Sequence, residues 1–248
     1  MDYFKDHCDI SLDTDFRKIS GMKFLPWVGN QFSISKNRLL IVAESIYNGY
    51  DKTDKSPEEL KLLEEKINDE RYARWVIKEQ GIHHTCNWTV NNIENGCPPN
   101  VRKVTDNFAR AFYNKKNLSY SEKEILWTNT IFHELIQEPL NDINDRGKIN
   151  YTSINKGYSV LYEVINLVKP KKILFIGNSN IEQINHHSFK VQRKEKIGNT
   201  YPREGEIKLA NNVVPFIAIK HTSKYFSWYK WAEYLDKTCY NNVSYEKH

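Results

Sequence analysis

The sequence predicts an α/β fold, a single three-layer α/β/α domain built on a mostly parallel, four-stranded central sheet. Short apolar runs without alternation, at residues 39–43, 172–177 and 213–219, are typical of strands buried on both faces. Between these runs lie segments in which apolar residues recur at helical spacing. Strands that alternate with helices indicate parallel strands joined by right-handed crossovers.

Length and composition are those of a folded protein. The 248 residues suffice to bury a sizeable core, and a chain with 27% charged and 13% aromatic residues is not typical of disorder. The net charge of +5 is compatible with a nucleic-acid partner. The N-terminus is too polar for a signal peptide, and no apolar run approaches the roughly 18 residues of a membrane span. We therefore expect a cytoplasmic, monomeric protein without a membrane partner.

The cysteines do not suggest a metal site. Cys8, Cys86, Cys97 and Cys239 are scattered, without a C-x-x-C pair, which favours free thiols in a reducing compartment. The cluster of His83, His84 and Cys86 lacks the second ligand pair that a zinc site needs. The sequence therefore predicts no metal and no other cofactor.

The first half of the predicted domain, which spans residues 1–248, begins with an N-terminal cap at residues 1–36. The first strand ends at a carboxylate, Glu44, and Ser56, Pro57 and Glu59 then open a helix that stops near Gly81. Residues 82–100 form a polar insertion, which is either a lid over the site or a surface loop.

The second half supplies the remaining elements of the sheet. An amphipathic helix with a basic face covers residues 101–112, and the β-rich residues 126–132 are predicted as the second strand. A helix from about 153 to 168 leads to the third strand, at 172–177, and a short helix follows it. Residues 188–212 are predicted as a basic hairpin or loop, residues 213–219 as the fourth strand, and the last helix ends at about residue 237.

Polar residues stand at three predicted strand ends: Glu44, Asn129, and His221 with Ser223. In open α/β sheets, ligands bind beyond the carboxyl ends of the strands. We therefore expect these side chains to share one site.

The order of these polar residues along the chain, together with the motifs around them, resembles that of the uracil-DNA glycosylase superfamily. That family has G-E-A-P-G or G-Q-D-P-Y after the first strand, an Asn on the second strand, often as L-N-T-V, and H-P-S after a late strand. The matching stretches here are V-A-E-S-I-Y at 42–47, W-T-N-T-I at 127–131 and K-H-T-S-K-Y-F-S-W at 220–228, with I-L-F-I-G-N-S at 173–179 similar to an internal strand. The likeness extends over about residues 36–236, but only short segments within this range match. Ala43, Ile46 and Thr222 depart from the family's Gly, Pro and Pro, and the four-cysteine iron–sulfur spacing of some branches is missing.

The resemblance implies roles for the site residues in breaking an N-glycosidic bond. Glu44 would stabilise the cationic sugar and position water, and His221 would donate a hydrogen bond to the departing base. Asn129, Tyr47 and Ser45 would bind a base that has flipped out of the DNA double helix.

The resemblance also implies a DNA contact surface in the loop after the fourth strand. Ser223, Lys220 and Lys224 would contact the backbone of the DNA. Tyr225 or Phe226 would act as a wedge, a side chain that fills the gap left by the flipped base.

The leading expectation is a monofunctional DNA glycosylase that acts on single- or double-stranded DNA containing uracil or a modified pyrimidine. If the substrate is a modified cytosine of the kind found in phage DNA, the protein would act in defence against phage and not in DNA repair. No lysine is placed in the motifs as an amine nucleophile, so lyase action is not expected. One alternative is a non-catalytic reader of modified DNA with the same fold. The other is a small-molecule α/β hydrolase, although no G-x-S-x-G, P-loop or dinucleotide fingerprint is present.

Overall fold

The structure is a computed structural model, which describes residues 7–47, 56–58, 99–140, 150–178, 181–184, 187–223 and 225–241. In chain order its elements are helix α1 (Asp13–Phe16), strands β1 (Trp27–Val28) and β2 (Leu39–Tyr47), helices α2 (Pro99–Tyr113) and α3 (Tyr120–Thr128), strand β3 (Thr130–Leu140), helix α4 (Tyr151–Val168), strand β4 (Lys172–Ile176), a 3-10 turn (Ile181–Gln183), strands β5 (Phe189–Arg193), β6 (Arg203–Lys208) and β7 (Val213–Ile219), and helix α5 (Trp228–Lys237). The predicted α/β class is confirmed.

The described strands form one seven-stranded sheet in the order β1-β3-β2-β4-β7-β6-β5. The four central neighbours β3, β2, β4 and β7 are parallel, as expected. Three further strands, β1 on one side and β6 and β5 on the other, add antiparallel edges. The predicted count of four was therefore wrong. The missed strands are either two residues long or largely polar, so they lack the apolar runs that mark buried strands.

Helices cover both faces of the sheet, and this explains the unbroken apolar run in β2. Successive side chains of a strand point to opposite faces. Leu40 and Val42 accordingly pack into a core with helix α4, whereas Leu39 and Ile41 pack into a second core with α2 and α5. Since each face of β2 is buried, both sets of positions must be apolar.

Helix α4 lies against β3 at a very close distance. A Cβ atom at Gly157 would lie 2.2 Å from the backbone oxygen of Leu135, so only glycine permits this approach. The helix begins at Asn150, whose side chain accepts a hydrogen bond from the backbone N–H of Ser153, and it ends at Lys169 in a left-handed conformation. The helix predicted at about residues 153–168 is confirmed.

The predicted second strand, at residues 126–132, is partly wrong. Leu126 to Thr128 form the last turn of α3, and the strand begins only at Thr130. The helix is set by a capping box in which Ser119 and Glu122 bind each other's backbone N–H groups. This local capping signal outweighs the β-rich composition of the run.

The other predicted elements within the described residues are confirmed. They are the helix at 101–112, the third and fourth strands and the last helix. Residues 188–212, predicted as a hairpin or a loop, contain the hairpin of β5 and β6. Residues 57–58 are helical, but the rest of the helix predicted after Ser56 lies outside the described residues. Residues 82–98 of the predicted insertion, with His83, His84 and Cys86, lie outside them too.

Candidate active site at the carboxyl edge of the sheet

The candidate site lies where β4 and β7 end, an end of the sheet that we term the carboxyl edge. Ala43, Ile176 and Ile219 lie side by side on β2, β4 and β7. The row beyond them therefore consists of Glu44, Gly177 and Lys220. Neighbouring strands are about 4.8 Å apart, which sets the spacing of this row.

Glu44 extends over Gly177. A Cβ atom at Gly177 would lie 2.5 Å from Cδ of Glu44 and 2.8 Å from its Oε1. The carboxyl group thus occupies the space that any other side chain at position 177 would fill, and it leans from β2 toward β7. Gly177 also has a φ of +110°, and this backbone conformation is a second, independent reason for glycine at the position.

His221 lies two residues beyond β7 and is half-buried. Its Nδ1 accepts a hydrogen bond of 3.3 Å from the backbone N–H of Ser223. Because an accepting nitrogen carries a lone pair, the proton of the neutral ring is on Nε2. The loop therefore presents His221 as an Nε2–H donor.

Thr222 fixes the loop that carries His221. Its side chain is fully buried, and its hydroxyl donates to the backbone oxygen of Val104 at 2.8 Å. The side-chain amide of Asn107 in turn donates to the backbone oxygen of Thr222 at 2.9 Å. These two bonds tie the loop to α2, and they explain why a threonine serves at this position, where the resembling family has proline.

The two aromatic residues proposed as wedges have different environments. Tyr225 is 80% exposed and has a φ of +65°, and Lys220 Nζ donates to its backbone oxygen at 3.0 Å. Phe226 is only 8% exposed and stacks on Trp231 with ring centroids 6.0 Å apart. Tyr225 therefore projects from the loop. The prediction that includes Phe226 as a DNA-contacting wedge is wrong, because its ring belongs to the core.

A second carboxylate, Glu134 on β3, was missed by the sequence reasoning. It lies beside Ala43, and its buried Oε2 has no hydrogen-bond partner among the described residues. Burial, with a smaller contribution from the charge of Glu44, raises the pKa of Glu134 to about 8. The available signal was an adjacent pair of ionisable residues, His133 and Glu134, inside an otherwise apolar run.

Two further buried polar groups lie on the α4 side of the sheet. His133, next to Val42 on the neighbouring strand, is fully buried, and burial lowers its pKa to about 3. Burial and then the charge of Glu44 raise the pKa of the Tyr158 hydroxyl. Among the described residues, neither side chain has a hydrogen-bond partner. Groups near Glu44 are thus kept neutral by burial.

Asn129 does not lie at the carboxyl edge. Thr130 pairs with Leu39, so Asn129 is level with Arg38, about 20 Å from Glu44 at roughly 3.3 Å per strand residue. Its side-chain amide donates to the backbone oxygen of Ile125 at 2.9 Å and so caps α3. The expectation that Asn129 shares a site with Glu44 is wrong, because the strand begins after this residue and not before it.

An amide that does lie at the carboxyl edge is Asn178, which follows Gly177 directly. Its Nδ2 donates to the backbone oxygen of Tyr201 at 2.7 Å. The backbone of Ser45 and Tyr47 continues β2 beyond Glu44. The side chains of these two residues, and the whole of Lys224, lie outside the described part of the structure.

The described residues contain no group of three or more His, Cys, Asp or Glu that could hold a metal ion. Within the same part of the chain, no helix combines the length and the apolar character needed to cross a membrane. In comparisons with known proteins, no family model and no curated protein matches this chain.

Proposed function

We propose that the protein is a monofunctional DNA glycosylase. It hydrolyses the N-glycosidic bond of a flipped-out noncanonical pyrimidine, either uracil or a modified cytosine, and leaves an abasic site. One observation carries the proposal: the carboxyl group of Glu44 leans over Gly177 toward the strand that ends near His221, an Nε2–H donor. Two strand spacings, about 10 Å, separate β2 from β7. This distance is on the scale of one nucleoside.

These two groups match the charges that develop in the reaction. The electron pair of the N-glycosidic bond leaves with the base, so positive charge builds on the sugar and negative charge on the base. Glu44 stabilises the sugar cation, positions the water whose oxygen bonds to the sugar carbon, and accepts the proton that this water loses. The released base anion takes up a proton from solvent. His221 donates to a carbonyl oxygen of the base and stabilises the anion without giving up its proton.

Glu134 adds to this electrostatic arrangement. Its raised pKa of about 8 keeps it largely protonated at neutral pH, while it lies beside the strand that carries Glu44. Two adjacent carboxylates would repel each other if both were ionised. With Glu134 neutral, Glu44 is the one of these two carboxyl groups that carries a negative charge.

The position of Lys220 supports hydrolysis by water rather than attack by an amine. Its Nζ donates to the backbone oxygen of Tyr225 and so holds the loop after β7. The ammonium group thereby serves the loop instead of reaching the sugar. The exposed ring of Tyr225 at the tip of that loop is suited to fill the gap left by a flipped nucleotide.

The test is a base-release assay on oligonucleotides that carry uracil or one of several modified cytosines, as single and double strands. Alkaline cleavage reveals abasic sites, and Glu44→Gln is the matched control. We expect release of at least one base by the wild-type protein, reduced about a hundredfold or more in Glu44→Gln.

Two outcomes would contradict the proposal. DNA binding without any abasic product would favour a non-catalytic reader of modified DNA. The absence of salt-dependent DNA affinity would favour a small-molecule hydrolase.

A further inference from the structure

The hairpin of β5 and β6 brings its closed end to the carboxyl edge. Strand β6 is antiparallel to β7, and Arg203, its first residue, lies opposite Ala218 near the end of β7. Arg193, the last residue of β5, lies opposite Arg203. The segment between them, residues 193–203, is therefore next to the loop that carries His221. We call this segment the hairpin tip.

The hairpin tip and the end of β5 concentrate positive charge. Residues 190–203 contain five cationic side chains and one carboxylate, whereas the whole chain has a net charge of only +5. Two of the five cations are engaged within the protein. Arg203 is buried and binds Glu182, and Lys194 forms an ion pair of 3.1 Å with Glu204.

Arg193 and Lys196 are held differently, on the ring of Tyr201. The guanidinium of Arg193 lies 3.5 Å from the centre of the ring, and Nζ of Lys196 lies 5.7 Å from it. Both cations are exposed, and neither forms an ion pair with a described residue. The ring thus fixes two charges in place at the surface.

The hairpin tip is also joined directly to the candidate site. Asn178, which follows Gly177, donates its side-chain amide to the backbone oxygen of Tyr201. The side chain of Arg203 binds the same backbone oxygen. The position of the cations relative to Glu44 and His221 is therefore set by hydrogen bonds as well as by the sheet.

We propose that the hairpin tip binds backbone phosphates of the DNA strand beside the reacting nucleotide, through Arg193 and Lys196. This inference deepens the proposed function and rests on it for the position of the reacting nucleotide. Two strand spacings, about 10 Å, separate β7 from β5, and a DNA strand advances about 3.4 Å per nucleotide. The contact therefore falls about three nucleotides from the reacting one. Paired exposed cations without carboxylate partners match a series of phosphates better than they match a neutral ligand.

The experiment compares Arg193→Gln with Lys208→Gln, both in a Glu44→Gln background so that DNA is bound and not consumed. Lys208 is an exposed cation of the same hairpin at its opposite end, where it pairs with Val213. Affinity for a modified oligonucleotide is measured across salt concentrations. Loss of one phosphate contact lowers the salt slope by about 0.7–0.9, a five- to eightfold change in relative affinity for each tenfold change in salt. We expect this change in Arg193→Gln and an unchanged slope in Lys208→Gln.

A second series shortens the oligonucleotide from each end. The parent protein should lose affinity when fewer than about three nucleotides remain on one side of the modified base, and Arg193→Gln should be insensitive to that shortening. Equal slopes and equal length dependence in a folded Arg193→Gln protein would overturn the inference.

If no base is released but Arg193→Gln alone changes the slope, DNA binding by the hairpin tip stands and the glycosylase proposal fails. If base release depends on Glu44 and the salt slopes are equal, the glycosylase proposal stands and DNA binding by the hairpin tip fails.

Discussion

The two ends of the sheet treat polar residues in opposite ways. At the amino end, Asn129 and Thr128 donate to carbonyl oxygens in the last turn of α3, within four residues of themselves. At the carboxyl edge and just inside it, Glu134 and Tyr158 carry buried polar atoms without hydrogen-bond partners among the described residues.

This difference separates residues that stabilise the fold from residues that are available for chemistry. A buried polar group without a partner costs about 1–3 kcal/mol, and strained backbone costs about the same. Such costs persist where a function depends on them. Glu134 and Tyr158, whose pKa values are both raised in part by the charge of Glu44, place two such groups near this carboxylate, and this supports the carboxyl edge as the site.

Among substitutions outside the proposed catalytic residues, Gly177→Ala has the largest expected effect, because it would displace the carboxyl group of Glu44. The added Cβ collides with the carboxyl group of Glu44, and the φ of +110° is strained for alanine. We expect a loss of activity of about a hundredfold, since misplacement by about 1 Å can cost that much. We also expect a loss of about 1–3 kcal/mol in the free energy of unfolding. Single-turnover rates and denaturant unfolding measure the two.

Gly21→Ala is the matched control for this substitution. Gly21 has a φ of +84°, and a Cβ atom there would lie 3.4 Å from Cγ2 of Val160, an ordinary contact distance. This variant should bear the backbone strain and keep its activity. Equal activity losses in the two variants would mean that the contact with Glu44 is unimportant.

The adjacent aromatic residues after β7 provide the next test. One of them stabilises the fold and the other is proposed to contact DNA, although both lie in the same loop. Phe226→Ala should lower the free energy of unfolding by about 3 kcal/mol, since it removes a buried ring that stacks on Trp231. Tyr225→Ala should change it by less than about 0.5 kcal/mol, because the ring is exposed.

The activity of the same two variants tests the wedge. Tyr225→Ala should lower base release from double strands more than from single strands, in a manner that depends on the opposite base. An unchanged rate in Tyr225→Ala would refute an inserted side chain, whatever the rate of Phe226→Ala.

Much of the fold was predictable because buried strands need apolar side chains on both faces. The runs at 39–43, 172–177 and 213–219 all form central strands. The edge strands β1 and β5 were not predictable in this way, since they are short or polar and are defined by their partners.

The site was predictable only for residues within two positions of an apolar run, although β2 continues to Tyr47 and does not end at Glu44 as predicted. Glu44 and His221 lie at the expected edge for this reason. Asn129 was misplaced because its strand begins four residues later than the β-rich run at 126 suggests. The packing of Phe226 depends on Trp231 in a later helix, and local pattern carries no information about that contact.

A smaller effect concerns pH, and it distinguishes the buried carboxylate from an ordinary surface acid. The pKa of Glu134 rises from 4.5 to about 8 on folding. Its contribution to stability is therefore complete below pH 4.5 and is lost as the pH rises toward 8, by up to about 1.4 kcal/mol per pH unit. Glu134→Gln should remove this slope, as measured by denaturant unfolding from pH 6.5 to 8, above the range in which the ionisation of His133 affects stability. An unchanged slope would show that Glu134 ionises normally.

His133 supplies the opposite dependence. Its pKa falls from 6.5 to about 3 on folding, so its contribution is complete above pH 6.5 and is lost as the pH falls toward 3. His133→Leu should flatten the stability profile below pH 4.5 and leave the loss of stability between pH 6.5 and 8 unchanged. It therefore controls for general effects of substitution in β3.

The smallest expected effect is that of Asn129→Ala, and its comparison with Glu44→Gln tests the central claim most directly. The measurement is the single-turnover rate of base release for both variants on the base that the wild-type protein releases. We predict a loss of about a hundredfold or more for Glu44→Gln. We predict a wild-type rate for Asn129→Ala, with about 0.5–1.5 kcal/mol less stability from the lost hydrogen bond to α3. Loss of activity in Asn129→Ala with activity retained in Glu44→Gln would place the chemistry at the other end of the sheet and contradict the account.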